Sequence, residues 1–140
     1  MPAFGMLSWS PTSTAGDQTD TAASNGHSYD TTRLHGFALT HVNGAGCHPG
    51  AAGDVPILPY VGKVTSSPSA DTADAIYASH CSHDDEVAPP GRYRLGLANG
   101  ARTDLAATTR AGIGTIAFPR GNPANLLFRT SNSPNGSEDA

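Results

Sequence analysis

The sequence predicts an all-β domain, an antiparallel β-sandwich built from short strands. Three observations predict it. Sixteen glycines and eleven prolines fall among 140 residues, a load that breaks helices and suits strands joined by many turns. Tyr93, Leu95 and Leu97 alternate with Arg92, Arg94 and Gly96, the period of a half-buried strand. No segment sustains a helical period of three to four residues.

The elements follow in chain order. Phe4–Trp9 reads as a first strand, with Trp9 in the core. Residues 10–31, SPTSTAGDQTDTAASNGHSYDT, are polar and small and read as a loop or a covering excursion. Gly36–Val42 is a second strand. Asp54–Tyr60 is apolar but carries Pro56 and Pro59, which places it at an edge or a bend. Residues 64–74, VTSSPSADTAD, read as loop, and Ala75–His80 as a weaker strand. The C-terminal half predicts a β-meander. Its first strand turns at Asn99-Gly100, a strong hairpin signal, and returns through Thr103, Leu105 and Ala107. Gly112 and Gly114 are expected to break the next strand, which resumes at Ile116 and Phe118. A last strand runs over Ala124–Thr130. Phe4–Leu7 begins as a strand without a partner, and residues 131–140 stop in a polar loop, so the sandwich is expected to be truncated at both ends.

Composition narrows the function. The formal net charge is −4 and the pI about 5.8, and no basic patch is present, which argues against nucleic acid and anionic membranes as partners. No apolar run is long enough to span a bilayer. Met1–Ser10 lacks the basic start of a signal peptide. Cys47 and Cys81 permit one disulfide at most and leave the compartment open.

Three clusters could carry chemistry. The stretch GFALTHVNGAGCHPGAAGD, from Gly36 to Asp54, opens like a strand and becomes a glycine-rich loop. Gly44, Gly46, Gly50 and Gly53 allow positive φ and close backbone approach. His41 and Asn43 share a face of an extended strand and offer donors and acceptors suited to vicinal hydroxyls. The bland alternative is tight turns with His41 as a packing residue. The second cluster is Asp84-Asp85-Glu86. An inverting glycosidase needs two carboxylates roughly 6.5–9.5 Å apart. Adjacent acids point in different directions, so an exposed acidic turn, or a cap on backbone amides before Pro89-Pro90-Gly91, is the stronger reading. The third cluster, Cys47, His48, His80, Cys81 and His83, has zinc-type residues at unconventional spacing. It remains a minor alternative, and no metal ligand is assigned.

Four colinear segments carry a family resemblance. PAFGMLSWSPTS (2–13), HGFALTHVNGAGCHPGAAGDVPILP (35–59), SHDDEVAPPGRYRLGL (82–97) and LAATTRAGIGTIAFP (105–119) resemble successive signatures of glycoside hydrolase family 92. That family comprises calcium-dependent, inverting exo-α-mannosidases, many acting on N-glycans. The resemblance implies a supersandwich-like N-terminal domain, here residues 1–140, that packs on an (α/α)6 catalytic barrel absent from this chain. It places the general acid, the general base and most calcium ligands in the barrel, so no catalytic residue is assigned. The implied partners are mannose-containing glycans and the barrel. The implied location of the full-length parent is secreted or cell-surface.

By the same resemblance, His41, Asn43, Gly44, Gly46, Cys47 and Tyr29 wall the sugar pocket, while Asp54, His83, Asp84 and Glu86 serve an interface or a structural turn. The sequence also departs from the family. Residues 22–30, AASNGHSYD, stand where a tryptophan-containing sugar-contact loop is usual and keep Gly26, Tyr29 and Asp30 without the tryptophan. Cys81 stands where an aromatic is usual. The reading from another class is a free-standing carbohydrate-binding or structural β-sandwich module.

Overall fold

The structure, a computed structural model, describes residues 7, 9–13, 27, 29–30, 32–39, 55–67, 77–128 and 130. Among the described residues eight strands run in the order β1 (Ser10–Ser13), β2 (Arg33–Ala38), β3 (Ile57–Val61), β4 (Ser79–Val87), β5 (Arg92–Leu97), β6 (Arg102–Ala107), β7 (Gly112–Ala117) and β8 (Ala124–Phe128). Every pairing is antiparallel. The spatial order is β7-β6-β5-β4-β2-β3-β8, with β1 also on β2. The domain is thus all-β, a curled antiparallel sheet that closes over its own core in the manner of a sandwich.

The meander forms where alternation predicts it. Tyr93 pairs with Leu105 and Leu95 with Thr103, so the apolar side chains of β5 and β6 share one face. The turn between them is fixed locally. Gly100 has φ +87, its N–H bonds the Leu97 carbonyl at 2.8 Å, and Asn99 Oδ1 accepts from the Ala101 N–H at 3.0 Å.

The inner face of the meander packs on β2. Leu34, Phe37, Leu95, Leu97, Ala101 and Leu105 form the main core, and Trp9, Val61, Tyr93 and Phe118 pack against it. Burying each large apolar side chain contributes about 1.5–3 kcal/mol. Leu58, Tyr77 and Leu127 form a smaller cluster with Tyr60, on the other face of β3 and β8.

Strand β2 is the joint of the fold. Leu34 is paired with Ser13 and Ser79, Phe37 with Pro11 and Ile57. One edge of β2 therefore takes β1, and the other is shared by β4 and β3 in turn. The approach of β3 requires glycine at position 36. Gly36 has φ +141, and a Cβ there would lie 2.6 Å from the Ile57 carbonyl oxygen.

Four expectations need correction. Residues 10–13 are strand β1 and not loop, because pairing with β2 buries Pro11 and Thr12. Of Phe4–Trp9 only Leu7 and Trp9 are described. The proline-bearing strand is interior, lying between β2 and β8. Its contact with β2 is one residue pair, and the Pro59 carbonyl accepts from the Asn99 side chain at 2.8 Å, so the missing proline donor breaks no long ladder. The weak strand at 75–80 is instead the first end of β4, which continues through the acidic run to Val87. Finally, Gly112 and Gly114 do not interrupt β7. They make a bed for an indole, since a Cβ at Gly114 would lie 2.5 Å from Trp9 Cη2.

Candidate functional site

The irregular point of the sheet is in β4. Between paired positions β4 advances from Cys81 to Glu86 while β5 moves only from Leu97 to Leu95. The surplus residues form an irregular β-bulge, a device that re-aims side chains. Asp84 and Asp85 are exposed, while His83 and Glu86 are half-buried.

The bulge brings four groups into one chain of hydrogen bonds. The Tyr93 hydroxyl donates to Glu86 Oε1 at 2.8 Å. Glu86 Oε2 accepts from His83 Nδ1 in a close ion pair. His83 Nε2 donates to the Tyr29 carbonyl at 2.6 Å. The Tyr29 ring lies flat on the His83 ring, with centroids 3.8 Å apart and planes 6° from parallel. Tyr93 anchors the chain in the core, tilted against Phe37 at 6.3 Å.

The electrostatics follow from these contacts. Hydrogen bonds to Glu86 and to the Tyr29 carbonyl raise His83 above its ordinary 6.5. Burial pushes Glu86 upward, but the bonds from His83 and Tyr93 outweigh it, and Glu86 titrates below its ordinary 4.5. Burial, then the bond to Glu86, pushes the Tyr93 phenol far up. Burial also raises the Cys81 thiol. The resting state of the cluster is therefore imidazolium, carboxylate and neutral phenol.

Two concavities flank the bulged region. One, of about 240 Å³, is lined by Trp9, Pro11, His27, Arg92 and Tyr93. The other, of about 410 Å³, lies on the opposite face of the sheet among Asp84, Asp85, Arg94, Arg102 and Asp104. Asp104 of that concavity is held by Arg92, which lines the other one, in a two-bond pair with Nε to Oδ1 at 2.7 Å.

The sequence-assigned residues divide accordingly. Tyr29, His83 and Glu86 come together. Asp84 is not in a turn with Glu86; both are on β4, with Asp84 turned to the charged concavity. His41, Asn43, Gly44, Gly46, Cys47 and Asp54 lie outside the described residues. Tyr93 was not among the assigned site residues. Its sequence signals are its place in an apolar alternation and in the family-like segment 82–97, and neither points to a bond with Glu86.

The residues described do not fit a calcium site. Calcium takes six to eight oxygen ligands. Both Glu86 oxygens already accept from His83 and Tyr93, and Asp104 is paired with Arg92. Among the described residues no three His, Cys, Asp or Glu side chains gather as a metal site. Nor is His83 available for zinc, since both ring nitrogens are engaged.

Comparison with known proteins gives this arrangement its setting. Residues 1–140 match the family description "Glycosyl hydrolase family 92 N-terminal domain". The chain belongs to glycosyl hydrolase family 92. Solved family 92 structures share the fold. The family GH92 α-mannosidase BT3965 from Bacteroides thetaiotaomicron is 31% identical, with TM-score 0.62 over 83% of this chain and 15% of that one. The inverting mannosidase BT2199 of the same organism is 25% identical, with TM-score 0.60 over 88% and 15%. The family GH92 glycosyl hydrolase ccman5 is 25% identical, with TM-score 0.68 over 93% and 17%. The chain thus spans about 15% of the length of the first two relatives. A search of curated proteins finds no match. The bulged cluster is therefore a feature of a family 92 N-terminal domain.

Proposed function

We propose that this family 92 domain serves an inverting, calcium-dependent exo-α-mannosidase acting on N-glycan-type mannosides. In that role it supports a catalytic barrel and walls the sugar site. The observation that carries the reading is the family match over all 140 residues, joined to relatives described as mannosidases. Most of the calcium ligands belong to the barrel. Catalysis belongs to the barrel too, since Glu86, the one inward carboxylate among the described residues, is neutralised by His83 and hydrogen-bonded by Tyr93. The parent enzyme works outside the cell or at its surface, where glycans are met. The pocket wall is formed by His41, Asn43, Gly44, Gly46 and Cys47 together with Tyr29.

The test compares the 140-residue chain with the same chain joined to a family 92 barrel, using an α-linked mannobiose. The chain alone is expected to release no mannose. The joined enzyme is expected to release β-mannose as the first anomer seen by proton NMR, to stop with a chelator and to recover with calcium. Mannose release by the purified chain alone, or α-mannose as first product of the joined enzyme, overturns the reading.

A further inference from the structure

We infer that His83, held as an imidazolium between the Glu86 carboxylate and the Tyr29 carbonyl, is a positioning residue that clips Tyr29 and Asp30 onto β4 and releases them when its ring loses the proton. The argument begins with the two partners of the ring. A backbone carbonyl can only accept a hydrogen bond. Glu86, which already takes the Tyr93 proton donor at 2.8 Å, also accepts. Only the protonated ring donates at both nitrogens. A neutral imidazole would present a lone pair to one of the two oxygens, and one contact would turn repulsive.

Among the described residues little else holds Tyr29 itself. Its side chain is 71% exposed, so burial contributes little. What remains is the carbonyl bond and the parallel stack at 3.8 Å. A cation on an aromatic face is favourable, and that attraction also goes when the ring is neutralised. The Thr32 carbonyl, two residues after Asp30, accepts from the Cys81 N–H at 2.8 Å and anchors the chain to β4, so the two described holds on Tyr29, beyond that anchor, depend on one proton.

The charges around the ring come from every neighbouring element. Glu86 faces it from β4. Tyr93 reaches Glu86 from β5. Asp30, on the held segment, favours the imidazolium, and His27 acts on Glu86. A group raised in the folded state stabilises fully below its unfolded value and loses that contribution as pH rises through the folded one. The clip therefore opens as pH rises above 6.5, through the raised value of His83. Glu86 has the opposite sign: its contribution fails as pH falls below 4.5, through its lowered value. The clip is firmest between those limits. Its effect on turnover rests on the proposed sugar-site role of Tyr29; the clip itself does not.

The experiment is NMR of the 140-residue chain with labelled histidine and tyrosine, from pH 5 to 9. His83 is expected to titrate above 6.5, and the Tyr29 ring signals to move with the same midpoint as the stack opens. Glu86→Gln should lower that midpoint. His83→Ala should hold the Tyr29 signals at their high-pH positions throughout, and it keeps the test decisive if the Glu86 variant fails to fold. Tyr29 signals that stay fixed across the range, or that follow another midpoint, overturn the clip. In a joined, active enzyme KM should rise about threefold or more through the same midpoint with kcat little changed. A flat KM, with Tyr29 moving by NMR, overturns the positioning role. If the joined enzyme hydrolyses no mannoside, the mannosidase reading fails alone and the NMR result decides the clip.

Discussion

Replacing Gly36 by alanine should be among the most damaging single-methyl changes in the domain. The new Cβ would meet Ile57 O at 2.6 Å, Ile57 C at 2.7 Å and Leu58 N at 2.9 Å. All three are backbone atoms of β3, and β3 is itself tied to β8 along its length, from Ile57↔Phe128 to Val61↔Ala124. No flexible side chain can swing away, so β2 and β3 must separate or the chain must distort. Gly36 also sits at φ +141, where a side chain costs about 1–3 kcal/mol. Overpacking adds about 1–3 kcal/mol. The expected loss is about 2–6 kcal/mol, a large share of the 5–15 kcal/mol typical of a whole domain. Urea unfolding followed by far-ultraviolet circular dichroism reads it directly. With a slope of about 2 kcal/mol per molar, the midpoint should fall by about 1–3 M. Gly121→Ala is the control. Gly121 has φ +85 but nothing within 4 Å of its would-be Cβ, so only the left-handed backbone cost applies, about 1–2 kcal/mol. If Gly36→Ala loses no more than Gly121→Ala, the steric argument is wrong and β3 does not press on β2.

Three further outcomes follow from the same geometry. Gly114→Ala should push the Trp9 indole off β7, costing about 1–3 kcal/mol; because Trp9 is the sole tryptophan, its emission should shift to the red, and unchanged emission would refute the contact. Thr12→Val should be neutral or stabilising by up to about 1 kcal/mol, since the Thr12 hydroxyl is buried without a hydrogen-bond partner among the described residues; a clear loss of thermal stability would mean that the hydroxyl has a partner. Arg92→Ala should change the urea midpoint little, and not at all in high salt, because its pair with Asp104 is exposed to solvent; a loss that persists in molar salt would contradict this.

The part of the fold legible in the sequence is the part whose causes are local. Tyr93, Leu95 and Leu97 announce a strand because their side chains all fall on one pleated face, and Asn99-Gly100 announces a turn because glycine accepts the positive φ that the turn needs. Strand β1 has no such mark. Ser10–Ser13 is polar with a proline, and it is a strand only because β2 is there to pair with it. The prolines of β3 read as an edge or a bend. The strand lies inside because its contact with β2 is a single residue pair, Phe37 with Ile57, and the Pro59 carbonyl faces the distant Asn99 side chain instead of a strand. Gly112 and Gly114 looked like breakers because their role is set by Trp9, about a hundred residues earlier in the chain. In each case the deciding partner is remote, and a reading of neighbours in sequence has no access to it. Of the predicted pocket wall, Tyr29 is the member described, and its value comes from His83 across the fold.

The pairing of His83 with Glu86 is the sharpest instance. In a regular strand side chains alternate with period two, so residues three apart project to opposite faces. On that rule His83 and Glu86 cannot meet, and an acidic run beside a histidine reads as solvated charge. The bulge cancels the rule. Because β4 carries surplus residues between its pairings at Cys81 and Glu86, the chain arches, Asp84 and Asp85 are carried out to solvent, and His83 is returned to the side of Glu86. Glu86 itself stays in register with Leu95, which turns its carboxylate toward the core side and within reach of the Tyr93 hydroxyl. The same arch lets Asp85 lie over Gly96, where a Cβ would come within 3.2 Å of the Asp85 side chain. A side chain at position 96 would thus press against the arch and, through it, against the histidine. The consequence is a dependence between two places that share no hydrogen bond. Gly96→Val should disturb the His83 titration, whereas Gly121→Ala, in open space, should leave it unchanged. An unaltered His83 midpoint in a folded Gly96→Val chain would show that the bulge does not hold the pair together.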